Sequence, residues 1–200
     1  MKSIYRQFKH PTGVVGALVG HAMAVKNRAR GEWVTSLLDL APGDRALEVG
    51  FGPGADARRV LRAIGERGTY LGVDASEVMV RQARERNSDS VASGRARFVF
   101  GELERGLPAR DGAHDVVFAI NCAQFWTDLA GGLAEMARTL APGGRLVVAV
   151  QPRNANASAA DSARWAERLA AAAREAGLAD VTVAMGPTTP PVAAVRARRR

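Results

Sequence analysis

The alternation of strand-like and helix-like patterns is the sequence feature that most limits the folds open to this chain. From Arg45 onward, short β-rich runs are separated by helical patterns at intervals of roughly 20 to 30 residues. Repeated βα units of this kind build a mainly parallel sheet with helices on both faces. The predicted parallel strands cover residues 46–50, 70–74, 97–101, 115–121 and 145–150.

Helices are predicted between these strands from apolar residues at helical spacing. One stripe covers residues 60–64, and another covers residues 133–140 and is ended by Pro142 and the two glycines after it. After a further helical segment, residues 181–185 and 192–195 predict an antiparallel hairpin that closes the sheet at seven strands.

The length of the chain indicates a single domain over residues 1–200. A chain of 200 residues with 47% hydrophobic content can bury one core between two layers of helices, but it is too short for two α/β domains. Residues 1–40 have a helical pattern and are expected to form a lid over a core of residues 41–200.

The composition argues against export and against a membrane span. Residues 14–25 form the longest apolar stretch near the N-terminus, which glycines and His21 interrupt and which is about half the length that a bilayer requires. Cys122 is the only cysteine, and there is no basic leader followed by an apolar run and a cleavage site. A cytoplasmic location is therefore expected.

The net charge of +8 comes mainly from arginine, which is a soluble helix former and falls on predicted helix faces. Arg196 and residues 198–200 form a basic cluster that has the charge to meet nucleic acid or anionic lipid, but a frayed, soluble tail is expected. A nucleic-acid partner is not expected, and the oligomeric state stays open.

A glycine-rich loop follows the first predicted strand and opens the next helix. Gly50, Gly52 and Gly54 alternate there, which permits a tight turn and lets a ligand lie against the backbone. The loop also satisfies a dinucleotide-binding pattern through Gly50, Gly52 and Ala55, so a nicotinamide or flavin enzyme is one interpretation.

Asp74 ends the second predicted strand, about 20 residues beyond the loop. A carboxylate at this position can accept hydrogen bonds from both hydroxyls of a ribose. Asp74 therefore indicates an adenosine-containing ligand without saying which one. Ser76, just beyond it, is predicted to be a helix N-cap.

Several ordered motifs together resemble those of the class I methyltransferases that depend on S-adenosylmethionine (SAM). Residues 47–54 look like the first motif of that family, with Glu48 as its acid, and residues 72–74 look like the second. The other similar segments are residues 101–103, 115–121 and 140–146. The resemblance implies a Rossmann-like fold, SAM as methyl donor and S-adenosylhomocysteine (SAH) as product.

The resemblance implies a binding site for the methionine part of SAM. The backbone around Gly50, Gly52 and Gly54 would hold this part, with Glu48 near its amino group. Asn121 would lie where the fourth strand ends, toward the methionine and the sulfonium.

The adenosine part is implied to contact a second group of residues. Asp74 would bind the ribose, and Ala75 and Met79 would lie near the adenine. Glu102 and Leu103 would lie on the other side of the adenine.

The segment after the fourth strand limits the classes of molecule that are expected to accept the methyl group. It lacks the Asp-Pro-Pro-Tyr or Asn-Pro-Pro-Tyr run of enzymes that methylate amino groups of nucleic-acid bases, which favours a small-molecule acceptor. Cys122 is expected to be a buried small residue. Phe125 and Trp126 either line an acceptor pocket or pack under the next helix. No cluster of residues has metal-ligand spacing.

No catalytic residue is assigned from the sequence. Transfer of a methyl group from a sulfonium requires mainly that donor and acceptor be close and aligned. His114 begins a predicted strand at the end away from the expected site, and His21 in the N-terminal segment is the better candidate for a base.

Other functions stay open at this point. The charge motivates RNA or protein as the acceptor, and residues 14–25 beside Lys2, Arg6 and Lys9 motivate a phospholipid at a membrane surface. A SAM-binding module without catalysis is a further alternative. An NAD(P)-dependent oxidoreductase is disfavoured by Pro53, by the closing hairpin and by the lack of a Tyr-x-x-x-Lys pair.

Overall fold

The computed structural model describes residues 28–154 and 156–200, so most of the predicted lid lies outside the described residues. The helices are α1 (Arg28–Ser36), α2 (Ala57–Ala63), α3 (Glu77–Arg86), α4 (Ser88–Ala92), α5 (Leu129–Thr139) and α6 (Ala159–Glu175). The strands are β1 (Arg45–Val49), β2 (Thr69–Asp74), β3 (Ala96–Phe100), β4 (His114–Ile120), β5 (Leu140–Val150), β6 (Ala179–Met185) and β7 (Ala193–Arg198). Short 3₁₀ turns cover Leu103–Arg105 and Ala123–Phe125.

The strands form one seven-stranded sheet in the order β3-β2-β1-β4-β5-β7-β6. Strands β1 to β5 are parallel, whereas β7 runs antiparallel to both β5 and β6. This confirms the predicted Rossmann-like α/β fold with its C-terminal antiparallel hairpin. The strand order reverses between β1 and β4, and ligands of open α/β sheets bind in the crevice outside the carboxyl ends at such a point.

Two apolar cores cover the two faces of the sheet. Ala46 of β1 belongs to the core under α1, α2 and α3, which includes Val34, Val60 and Met79. Leu47 of the same strand belongs to the opposite core, under α5 and α6. Because alternate residues of a strand point to opposite faces, β1 is buried from both sides. Among the described residues, no helix is long and apolar enough to cross a membrane.

Leu140 was predicted to belong to the helix before Pro142, and this prediction was wrong. Helix α5 ends at Thr139, and Leu140 already has extended backbone angles (φ −71°, ψ 141°) and pairs with His114. The residue before a proline avoids helical angles, so Ala141 favours an extended chain here. The strand therefore begins five residues before the predicted 145–150, with a register shift between His114 and Val116.

The prediction of a frayed basic tail was also wrong, because the C-terminal arginines contact the rest of the chain. Arg196 lies in β7 and forms an ion pair with Asp39. Arg199 donates from Nη1 to the carbonyl oxygens of Arg138, at 3.1 Å, and of Leu140. These acceptors are carbonyls where α5 ends, which have no partner within the helix.

Replacing Arg199 with alanine is expected to lower the free energy of unfolding by about 1 to 3 kcal/mol, because a charged donor to half-buried carbonyls is lost. Urea denaturation would measure the change. Arg200→Ala is the matched control, since Arg200 is exposed and its removal should change stability by less than about 0.5 kcal/mol. Equal stability of the two variants would contradict the proposed role of Arg199.

Candidate functional site

A cavity of about 510 Å³ opens at the carboxyl ends of β1, β2 and β4. Its volume lies within the range of small-molecule sites, about 300 to 1,000 Å³. It brings together nine of the ten residues predicted to contact the cofactor: Glu48, Gly50, Gly52, Asp74, Ala75, Met79, Glu102, Leu103 and Asn121. Gly54, the tenth, is not part of its lining.

Gly52 supplies open space beside the cavity. It has a φ of 56°, and no atom beyond its two chain neighbours lies within 4 Å of the position that a Cβ would take. Its amide donates to Asp74 Oδ2 at 2.8 Å, which ties the loop to the end of β2. The loop is therefore held in place by the neighbouring strand and leaves room for a ligand against its backbone.

The other two glycines of the loop have different roles. A Cβ at Gly50 would lie 2.6 Å from both Cβ and Sγ of Cys122, so Gly50 accommodates the loop after β4. A Cβ at Gly54 would lie 2.6 Å from Cβ of Ala83, and the Gly54 carbonyl accepts a hydrogen bond from Asn87 Nδ2 at 3.1 Å. The structure thus places Gly54 at a contact with α3 rather than at the ligand cavity.

Asp74 is held by backbone donors on both sides of its carboxylate. Oδ2 accepts from Gly52, and Oδ1 accepts from the amide of Ser76 at 2.9 Å. A carboxylate has about four acceptor positions, so two remain for other donors. Burial raises the pKa of Asp74 to about 6, while the two backbone donors oppose the shift. Ser76 is confirmed as an N-cap, since its Oγ accepts from Met79 N at 3.4 Å.

Glu48 lies at the floor of the cavity with 2% of its surface exposed. Its carboxylate accepts a hydrogen bond from the hydroxyl of Tyr70. Burial and the negative charge of Asp56 raise the pKa of Glu48 to about 8. A cation bound beside Glu48 would favour the ionised form and offset this shift.

The sequence analysis missed several charged residues of the cavity that come from α1 and from the start of α2. Arg30, Asp56 and Arg59 all line it, and Arg59 Nη1 donates to Asp56 Oδ1 at 2.5 Å. The helices meet here because Gly31 has no side chain, since a Cβ would lie 2.1 Å from Asp56 Oδ1. A glycine inside a helix lowers the stability of the helix by about 1 kcal/mol relative to alanine. Gly31 was therefore a signal in the sequence that another segment approaches the helix closely at this residue.

The loop after β4 joins the ends of two strands. Asn121 Oδ1 accepts from the amide of Gln151, which follows β5, at 2.8 Å. The side chain of Cys122 is half-buried rather than fully buried, and its Sγ donates to the carbonyl of Val49 at 3.2 Å. Burial, followed by the negative charges of Asp74 and Glu48, raises the pKa of the Cys122 thiol far above its ordinary value.

Phe125 and Trp126 follow β4 and lie beside the cavity. Both line the cavity. Trp126 also packs against α5, where a Cβ at Gly132 would lie 2.9 Å from its indole ring. The aromatic residues after β4 therefore form one wall of the cavity, and α5 supports Trp126 from behind.

His114 lies at the start of β4, away from the cavity, and is 8% exposed. Burial lowers its pKa. His10 and His21 lie outside the described residues. Within the part of the chain that the structure describes, no group of three or more His, Cys, Asp and Glu residues is arranged to hold a metal ion.

The sheet and its cavity define the class of protein as a Rossmann-like α/β protein with a cavity of ligand size at the switch point of the sheet. Residues 46–144 match the family model described as a methyltransferase domain. Over 167 residues, the chain is 31% identical to the uncharacterized methyltransferase YdaC of Bacillus subtilis (strain 168), with 83% of this chain and 88% of that relative covered. The chain belongs to the class I SAM-dependent methyltransferase family and is a methyltransferase.

Two further comparisons agree with this assignment. The chain is 34% identical over 107 residues to the ubiquinone/menaquinone biosynthesis C-methyltransferase UbiE of Vibrio vulnificus (strain YJ016). That match covers 54% of this chain and 41% of the relative, less than two thirds of its length. A SAM-dependent methyltransferase from Aquifex aeolicus has the same fold, with a TM-score of 0.70, 20% identity and coverage of 85% of this chain and 89% of that one.

The cavity residues fit SAM as the methyl donor. Gly52 leaves open space beside the loop backbone, and Asp74 keeps free acceptor positions for hydroxyl groups. Glu48 is a buried acid suited to a cationic group of the ligand. The family assignment replaces the nicotinamide hypothesis and the hypothesis of a module without catalysis.

Proposed function

We propose that the enzyme transfers the methyl group of SAM to a small-molecule acceptor bound near the carboxyl ends of β4 and β5, releasing SAH. One observation carries this proposal: the cavity extends past Asn121, at the end of β4, to Phe125 and Trp126. A concave wall of this kind, with aromatic and polar residues, suits a small molecule. The engagement of Arg196 and Arg199 with the chain itself supports this choice over nucleic acid.

Within this proposal, the residues named from the sequence bind the donor. Asp74 accepts hydrogen bonds from the ribose, and Glu48 lies near the ammonium group of the methionine part. Ala75 and Met79 contact one side of the adenine, and Leu103 with Glu102 the other. The cavity lining supports these roles, whereas the contact of Gly54 with Ala83 favours a packing role for that glycine.

The chemistry we propose is an in-line displacement. A lone pair of the acceptor forms a bond to the methyl carbon while the bond from carbon to the sulfonium sulfur breaks, and the acceptor loses a proton if it carries one. No histidine lines the cavity among the described residues. We expect alignment of donor and acceptor to provide most of the rate enhancement.

Transfer of a labelled methyl group from SAM tests the proposed acceptor class. Fractions of small molecules, RNA and protein from a cell extract are incubated separately with the enzyme, and label is expected only in the first. Phe125→Ala is expected to raise the KM for the acceptor about tenfold and to leave SAH affinity unchanged, because an aromatic wall is lost. Label in RNA or protein alone would contradict the proposal.

A further inference from the structure

Arg30 is a buried cation at the wall of the cavity. It is 5% exposed and lines the cavity from α1. Its Nε is buried and has no hydrogen-bond partner among the described residues. Its Nη1 donates to Gln151 Oε1 at 3.4 Å, which places the guanidinium beside the end of β5.

Within the described residues, Arg30 shares its acidic neighbour with a second arginine. Asp56 attracts Arg30, but the carboxylate of Asp56 is hydrogen-bonded to Arg59. Burial and the positive charge of Arg153 lower the pKa of Arg30 to about 10, so the guanidinium stays charged at neutral pH. A buried charge that shares its acid with another cation is incompletely compensated, and an anion that enters the cavity would offset this cost.

Gln151 fixes the position of this guanidinium. The amide of Gln151 donates to Asn121 Oδ1, and its Nε2 donates to the carbonyl of Pro190 at 3.1 Å. The side chain that accepts from Arg30 is therefore held from two directions. A guanidinium oriented in advance loses less conformational entropy when it binds an anion.

Charged residues of both signs line the cavity, and Arg59 and Arg86 are cations there besides Arg30. Glu48 and Asp74 make the side at β1 and β2 acidic, which matches the ammonium and the sulfonium of the donor. Arg30 makes the side next to β5 basic. Because the acceptor is proposed to bind near β4 and β5, the basic side is available to it.

We propose that the acceptor is a small organic acid whose carboxylate binds to Arg30. This inference rests on the proposed function and names the substrate class for that site. The planar guanidinium matches a carboxylate in geometry and donates two parallel hydrogen bonds to it. The carboxylate positions the acceptor, and the methyl group goes to another atom of the same molecule.

Binding of matched acid and amide probes to the SAH-saturated enzyme tests this inference. The probes are benzoate with benzamide, phenylacetate with phenylacetamide and hexanoate with hexanamide, and affinities are measured by NMR titration. At least one acid is expected to bind about tenfold more tightly than its amide, as one charge-assisted hydrogen bond would provide. Arg30→Gln should remove this preference, whereas Arg81→Gln, at an exposed residue of α3, should keep it.

Two results would overturn the inference. The first is that no acid binds more tightly than its amide. The second is that Arg30→Gln weakens SAH binding about tenfold but leaves 5′-methylthioadenosine unaffected, since Arg30 would then bind the carboxylate of the donor. Arg30→Lys keeps the charge without the planar fork and tests the same preference if the glutamine variant does not fold. Failure of the wild type to bind SAH would instead reject the proposed function.

Discussion

Replacing Asp74 with alanine is expected to weaken SAH binding by about 100-fold, because two hydrogen bonds from the ribose to a charged group are lost. The variant also loses the acceptors of the Gly52 and Ser76 amides, which loosens the glycine loop. Calorimetric titration at a pH well above 6 measures the effect, since the carboxylate is then ionised.

Two further measurements separate the ribose contact from the loop contact. Asp74→Asn keeps the volume and one carbonyl acceptor, so an intermediate loss of about tenfold is expected. In the wild type, SAH affinity should fall as the pH drops through 6, because the protonated carboxyl is a weaker acceptor. Asp89→Ala, at an exposed acid of α4, is the control and should bind as the wild type does. Undiminished binding by Asp74→Ala would contradict the assignment of Asp74.

The stability of the ligand-free enzyme is expected to decrease as the pH rises, and Glu48 is the main cause. The pKa of Glu48 is about 8 in the folded chain and 4.5 ordinarily, so folding favours its protonated form. The stability from this group is complete below pH 4.5 and is lost as the pH rises through 8. Between pH 6 and pH 9 the free energy of unfolding should fall by roughly 2 to 3 kcal/mol.

Glu48→Gln should remove most of this pH dependence, since an amide does not titrate and can still accept from Tyr70. Urea denaturation at several pH values measures the slope. Glu66→Gln, at a side chain 91% exposed, is the matched control and should keep the slope of the wild type. A Glu48→Gln protein with the wild-type slope would show that another group causes the dependence. The same variant is expected to bind SAH more weakly, because the ammonium group loses its carboxylate partner.

The features that were predictable from the sequence are those encoded locally. The parallel strands and the closing hairpin follow from the alternating patterns, and the glycine loop and Asp74 lie at strand ends that parallel topology brings together. Nine of the ten predicted cofactor residues therefore line one cavity. Gly54 differs because a glycine that accommodates a neighbouring helix and one that accommodates a ligand look identical in sequence.

The residues that sequence reasoning missed depend on contacts between distant segments. Arg30 reaches the cavity because α1 packs on α2 through Gly31 and because Gln151, 121 residues later, accepts its hydrogen bond. Arg199 binds carbonyls about 60 residues earlier in the chain. Neither contact follows from a local spacing of residues. The composition alone therefore indicated that the arginines lie on solvated helix faces and that the C-terminus is a frayed tail.

The hydrogen bond of Cys122 affects whether the enzyme can be methylated by its own methyl donor. SAM is an alkylating agent, and the only thiol of the chain lies in the wall of the cavity that we propose binds it. A thiolate there would be the strongest nucleophile available and would inactivate the protein by capturing the methyl group. Burial and the negative charges of Asp74 and Glu48 raise the pKa of the thiol, and its Sγ donates to the Val49 carbonyl, so the thiol form is favoured over the thiolate that would capture the methyl group.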